Sequence, residues 1–223
     1  MNLRPRYERL YSGVVYDAMC FDVRHPQPFV VHHAIKPVWL MGTQPALFGP
    51  AFTCRGQRVS HPDHVDDTVR LRMFEKFTPD CVQVIDTDGD GTVAHFGDIS
   101  GKLARRAGAI GAVIDGFTRD ARILEEDRFP VFARGTQPID AFGRWQIVSY
   151  QVPVWLDGIE GRVPVHPGDY VFGDPDGVLV IPRTLGERVC VAAEERMARE
   201  QVVRERLIGQ TDVMEIYREV GRW

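Results

Sequence analysis

A chain of 223 residues with 44% apolar and 26% charged side chains has the composition of an ordinary folded protein, which excludes disordered, collagenous and fibrous classes. At this size a fold exposes about 10,000 Å² of the about 37,000 Å² of the open chain, so roughly 70% can be buried; a single domain over 1–223, with no linker, is expected. Twenty-seven basic against thirty-one acidic side chains give a net charge of −4, the wrong sign for a phosphate backbone, so no nucleic acid partner is expected. The longest uninterrupted apolar run, Ala107 to Ile114, falls far short of the roughly 20 residues that cross a bilayer, so no membrane partner is expected either. The start Met1-Asn-Leu-Arg-Pro-Arg-Tyr-Glu carries charge where a secretory signal has its apolar stretch, which points to the cytoplasm.

In chain order, Asp63 to Phe77 reads as an amphipathic helix with Val65, Val69, Leu71, Met73 and Phe74 as its apolar members and Pro79 beyond its end. Cys81-Val-Gln-Val-Ile85 is a short β-branched run that stops at the turn-rich Asp86-Thr-Asp-Gly-Asp-Gly91, and Thr92 to Phe96 reads as the next strand. Then come a helix over Asp98–Ala107, a strand over Ala112–Ile114, a helix over Arg119–Asp127 and a strand over Pro130–Ala133, an alternation that predicts an α/β core. From Gln146 to Pro182 short strands are parted by Pro-Gly and Asp-Gly turns, giving a β-rich C-terminal half. A charged helical tail over 184–223 follows, with a long helix from Leu185 to Ile208, a break at Gly209 and a short last helix ending near Gly221.

Several familiar signatures fail. Asp86-x-Asp88-x-Asp90-Gly91 starts like a calcium loop, but its twelfth position is Gly97 instead of Glu. Gly97-Asp-Ile-Ser-Gly101-Lys102 is one residue too short between its glycines for a phosphate loop, and Leu103 replaces the Ser or Thr that binds magnesium. Cys20, Cys54, Cys81 and Cys190 are scattered without zinc spacing and read as buried reduced thiols. His32-His33 and His61-Pro-Asp-His64 read as surface or packing residues before ligands. Lys36, Lys76 and Lys102 are the only lysines, and none has the apolar surround that Schiff-base chemistry needs.

Two places remain. Phe96-Gly97-Asp98-Ile99-Ser100-Gly101 sets a good N-cap residue, Asp98, straight after a strand, with small residues in the first helical turn; Asp98 either caps the helix and nothing more, or helps hold an anion on free amides. Downstream, the strand Ala112–Ile114 runs into Asp115-Gly-Phe-Thr-Arg119-Asp120, charge gathered where open α/β sheets place ligands. Adjacent Arg119 and Asp120 are expected to diverge, one free to grip a carboxylate and the other a hard dication; an ordinary surface ion pair is the alternative.

Asp98 followed after twenty residues by Arg119-Asp120, with Gly111-Ala-Val-Ile-Asp115-Gly116 just before, resembles the signature of the regulator-of-ribonuclease-activity-A-like family. The match is to its 4-hydroxy-4-methyl-2-oxoglutarate / 4-carboxy-4-hydroxy-2-oxoadipate aldolase branch. Val15-Tyr-Asp17-Ala18, Gly49-Pro-Ala-Phe-Thr53, Phe129-Pro-Val-Phe-Ala-Arg134, Val165-His-Pro-Gly-Asp-Tyr170 and Asp174-Pro-Asp-Gly-Val178 carry the resemblance along most of the chain. It implies an αββα sandwich, a homotrimer or dimer of trimers, and an Mg²⁺- or Mn²⁺-dependent class II aldolase that releases pyruvate from a small 4-hydroxy-2-oxo acid, with oxaloacetate decarboxylation open to the same enolate. Carried across, Asp120 is the metal ligand, Arg119 the substrate- and enolate-binding residue and Asp98 the water-orienting acid. The backbone amides of Ile99 and Ser100, beside Gly97, are the carboxylate site. The family also uses a Glu from a neighbour's C-terminal helix; Glu200 lies on the apolar stripe of Val189, Ala193, Met197, Val203 and Leu207 and is the candidate, against a plain ion pair with Arg196 or Arg204. Ile99-Ser100 where these aldolases commonly have two leucines, and Ile123 where many have an acid, leave the substrate open. A non-catalytic regulator resembling the family's ribonuclease E inhibitor is the other reading.

Overall fold

The computed structural model describes residues 2–42, 44–61, 66–209 and 212–221. The chain opens with α1 (Arg4–Tyr7) and α2 (Ser12–Asp17), the latter running on as a π-helical turn over Ala18–Val23. Strands β1 (Lys36–Pro37) and β2 (Leu47–Arg58) precede α3 (Thr68–Phe74), β3 (Val82–Asp86), β4 (Ala94–Phe96) and α4 (Asp98–Ala107). Then follow β5 (Gly111–Ile114), β6 (Phe117–Thr118), α5 (Ala121–Glu126), β7 (Val131–Ala133) and β8 (Gly135–Thr136). The β-rich half holds β9 (Trp145–Tyr150), β10 (Val154–Leu156), β11 (Val163–Val165), β12 (Tyr170–Asp174) and β13 (Gly177–Ile181), and α6 (Gly186–Ile208) and α7 (Val213–Val220) complete it.

The main sheet has the order β1-β7-β5-β3-β2-β12-β13, parallel from β7 through β2 and antiparallel beyond, with β9 pairing the far half of the long β2. Period-two alternation decides which side each residue serves. Ile85 and Ile114 face Met73, Ala104 and Leu124 of the α3–α4–α5 layer, whereas Val82, Val84 and Val113 face the β10–β11 hairpin through Val154, Leu156, Val163 and Val165. A third cluster joins Tyr7, Val14 and Val15 to Phe48, Phe172 and the buried face of α6. The Tyr7 ring stacks on Phe48 with centroids 3.9 Å apart, and its hydroxyl donates to the Gly186 carbonyl at 2.8 Å, seating the start of α6. Helices thus flank β layers on both outer sides, the expected α/β sandwich. A small parallel sheet, β4-β6-β8, stands beside the main one and builds the site.

Three local readings change. Helix α3 spans Thr68–Phe74 only, with 63–65 outside the described residues, and Leu71 is half exposed because two residues rotate it about 200° from the buried Met73. Helix α5 begins at Ala121, after Arg119 and Asp120. The strand ending at Ile114 does not carry Arg119: the chain crosses from β5 into β6, and Asp115 is left behind as the buried partner of Arg134, Nη2 to Oδ1 2.5 Å. The thiols of Cys54, Cys81 and Cys190 are buried, and burial pushes those of Cys81 and Cys190 up to about 11, so they are inert. His32 and His33 stack at 4.2 Å, and the His32 ring accepts from the Ala34 N–H, a packing role.

One buried polar cluster ties β4 to its surroundings. His95 Nε2 donates to Asp90 Oδ2 at 3.0 Å, its Nδ1 accepts from the Phe117 N–H at 3.2 Å, and its ring meets Trp145 edge-on at 4.7 Å. Both ring nitrogens are thereby assigned in a neutral imidazole, and burial pushes its pKa below the usual value despite Asp90. The unfolded chain therefore takes up this proton first, so the stability His95 contributes is present above about pH 6.5 and is lost as the pH falls below it. Ring-nitrogen NMR should find His95 as the Nε2–H tautomer with its titration midpoint below about 6.5, and an imidazolium at pH 6.5 would contradict the arrangement.

Candidate active site

A cavity of about 270 Å³ opens where two strand ends and one loop meet. The Arg119 N–H and the Thr118 hydroxyl both donate to the Phe96 carbonyl at 2.9 Å, clamping the carboxyl ends of β4 and β6 side by side. The chain turns there into α4 and α5, which sets Gly97-Asp98-Ile99-Ser100 against Arg119-Asp120, all lining the cavity. Carboxyl ends of parallel strands are where such sheets present ligands.

Gly97, not Asp98, is the N-cap of α4, and Asp98 is its first helical residue. The capping acceptor comes from outside: the Asp98 N–H donates to Asp120 Oδ2 at 3.3 Å, which frees the Asp98 carboxylate to pair with Lys102 one turn on, at 3.2 Å. Lys102 also binds Asp127 at 2.6 Å, and this contact and the one to Asp98 hold its pKa up, against any imine role. The amides of Ile99 and Ser100 meet no acceptor among the described residues and lie at the positive end of α4. A Cβ on residue 97 would stand 2.6 Å from Asp120 Oδ2 and 3.2 Å from Arg119 Cγ, so the close approach needs glycine.

Arg119 and Asp120 converge where divergence was expected. Asp120 adopts the left-handed conformation, φ 60° and ψ 31°, which folds its carboxylate back to 3.4 Å from Arg119 Nε. Its carbonyl accepts the Ile123 and Leu124 N–H groups at 2.9 and 3.0 Å, so the first turn of α5 holds this strained residue in place.

The sequence reading missed Asp140, Asp67 and Arg70. Asp140 sits on the loop between β8 and β9 and binds the outer edge of Arg119, Nη1 to Oδ2 3.0 Å. That loop is fixed by the Ala94 N–H donating to the Ile139 carbonyl at 2.8 Å. The Phe142 N–H at 3.1 Å, and then Arg119, hold the Asp140 carboxyl below its ordinary range. On α3, Arg70 grips Asp67 through Nε at 2.7 Å and Nη2 at 2.5 Å, a fork that raises the arginine and lowers the acid. No spacing signal marks these three; only a shared cavity does.

Glu200 is not brought to this cavity. It lies on α6, bonded to Arg204 at 2.5 Å and to the Tyr11 hydroxyl, and lines a separate cavity of about 400 Å³ with Tyr16, Asp17 and His33. Arg196 is taken by Asp17 and Asp22.

Among the described residues no three His, Cys, Asp or Glu side chains gather into an ion cage. Asp120 nevertheless suits a hard dication: it lines the cavity, its side chain is 31% exposed, and Mg²⁺ is commonly held by one or two carboxylates with water and substrate completing the shell. The cavity wall carries four carboxylates, Asp67, Asp98, Asp120 and Asp140, against two guanidinium groups, Arg70 and Arg119, an excess of negative charge that a dication would offset.

The RraA-like family, described as Aldolase/RraA, matches residues 13–180. A protein of Halalkalibacterium halodurans named "Putative 4-hydroxy-4-methyl-2-oxoglutarate aldolase" is 38% identical over 143 residues, 64% of this chain and 65% of its own length. The chain thus matches less than two thirds of the length of that relative, and 61% of that of a like-named protein of Stutzerimonas stutzeri. Among solved structures, one described as a novel cellulase from gut-associated microbes superposes with TM-score 0.78 at 30% identity, covering 89% of this chain and 85% of its own. Streptomyces coelicolor RraAS2, described as an unusual member of the RNase ES inhibitor RraA protein family, gives 0.74 at 25%, covering 91% and 95%. No described helix is long and apolar enough to cross a membrane. With the sandwich fold and the match over residues 13–180 in agreement, this chain belongs to the RraA-like family of aldolases and RraA proteins.

Proposed function

We propose that this protein is a divalent-metal-dependent aldolase that cleaves a 4-hydroxy-2-oxo acid to pyruvate and a second carbonyl compound. The single observation that carries the reading is the convergence of Arg119, Asp120 and the free amides of Ile99 and Ser100 on one cavity, with Asp98 at its edge. The Ile99 and Ser100 amides bind the substrate's C1 carboxylate, and Arg119 is placed to hold the C2 oxygen as it becomes negative. Asp98, through water, accepts the C4 hydroxyl proton; the C3–C4 bond then breaks, its electron pair enters the C2 carbonyl as an enolate, and protonation at C3 yields pyruvate. Asp120 would hold Mg²⁺ or Mn²⁺, which supplies Lewis-acid stabilisation of the enolate oxygen when bound. Oxaloacetate decarboxylation passes through the same enolate and belongs to the same site. The preference for an enzyme over a regulatory binder rests on Asp98 and Arg119-Asp120 being intact together, which ribonuclease binding does not require. In a homotrimer or dimer of trimers, α6 of a neighbouring copy would bring Glu200 toward this cavity.

A lactate-dehydrogenase-coupled assay with 4-hydroxy-4-methyl-2-oxoglutarate and added Mg²⁺ or Mn²⁺ should register pyruvate, and EDTA should abolish it. Asp120→Ala should cost about 100-fold or more in turnover, and full activity in that variant would refute the assignment. Arg119→Ala should lower kcat by about 10²–10³, the scale of losing a contact made chiefly in the transition state. Gly97→Ala should fold yet lose most activity, because its methyl group displaces the Asp120 carboxylate; wild-type kcat there would mean that the close approach has no catalytic part.

A further inference from the structure

Arg70 has no part in the chemistry just described, yet it stands in the wall of the same cavity. It projects from α3, and the cavity it lines is lined also by Arg119 and the start of α4. Its Nε and Nη2 are held by Asp67, which fixes the plane of the guanidinium, and Nη1 meets no acceptor among the described residues. Asp140, bound by Arg119 at 3.0 Å, lines the same cavity as Arg70. Gln146 of β9 lines the same wall with an amide, and its oxygen accepts the Asp66 N–H at 2.9 Å beside the Asp67–Arg70 fork. The cavity therefore has cationic or donor groups supplied from two parts of the fold, Arg119 with the α4 amides and Arg70 on α3.

A mono-carboxylate oxo acid uses the first place only. We infer that Arg70 is the specificity-determining residue that receives the distal carboxylate of a dicarboxylic 2-oxo acid, through its Nη1 edge, while the pyruvyl end lies at Ile99, Ser100 and Arg119. This rests on the reading of the cavity as an oxo-acid site. Arginine suits the task better than lysine because one edge of its rigid fork is pre-oriented by Asp67 while the other stays open to a second carboxylate. A cavity of about 270 Å³ accommodates a short diacid of this kind.

The test compares ligands that differ only by the distal group. With Mg²⁺ present, calorimetric titration should show the wild type binding 2-oxoglutarate, which lacks the 4-hydroxyl and is not cleaved, at least about tenfold more tightly than 2-oxobutyrate. Arg70→Met should erase that preference while leaving 2-oxobutyrate affinity and the exchange of pyruvate methyl protons in D₂O within about twofold of wild type, and Arg70→Lys should restore part of it. For cleavage of 4-hydroxy-4-methyl-2-oxoglutarate the loss in Arg70→Met should lie in KM, with kcat little changed. An unchanged diacid preference in Arg70→Met overturns the inference, as does an equal loss for the mono- and dicarboxylates, which would mean a structural role. A diacid preference that depends on Arg70 in a protein releasing no pyruvate would sink the aldolase reading and leave this assignment standing.

Discussion

The site depends on one close approach, between the turn after β4 and the turn after β6. Because residue 97 has no side chain, the Asp120 carboxylate can come within hydrogen-bond reach of the Asp98 amide, and Arg119 can lie along the same turn. The paired donation of the Arg119 amide and the Thr118 hydroxyl to the Phe96 carbonyl holds the two turns in register. A bulkier residue at 97 would displace the Asp120 carboxylate from the Asp98 amide and from Arg119.

The strain at this point is confined to Asp120. A left-handed non-glycine residue costs of order 1–3 kcal/mol, and here the first turn of α5 and the capping bond to α4 oppose its relaxation. Relaxed to an ordinary helical start, Asp120 would point away from Arg119, as the bare dipeptide suggests. The left-handed turn is what converts an ordinary Arg-Asp dipeptide into a converging pair. Beneath it, the neutral His95 bridges Asp90 and Phe117 and gives β4 a rigid floor without adding charge to the cavity.

The electrostatics of the cavity follow from pairing more than from counting. Asp67 is committed to Arg70, Asp98 to Lys102, and Asp140 to Arg119, while Asp120 makes the longest of the four contacts, 3.4 Å to Arg119 Nε. Each arginine in turn keeps part of its fork unused. This division lets a small anionic ligand and a dication share a wall that is, by formal charge, acidic.

The alternation of helices with β-branched runs was legible in the chain: α4 spans Asp98–Ala107 as expected, and α6 ends at Ile208 with Gly209 beyond it. So were Asp98 and Arg119-Asp120 as two separate candidate places, because strand ends, caps and clustered charge are written in neighbouring residues; that the two belong together was implied by the family resemblance alone. What no local signal held is which strand carries Arg119, that Gly97 takes the cap, that Asp120 turns back, and that Asp140, Asp67 and Arg70 arrive at the same cavity from a loop and a helix distant in sequence. Those are long-range contacts and backbone conformations set by how the small parallel sheet docks beside the large one, and only the assembled tertiary structure decides them.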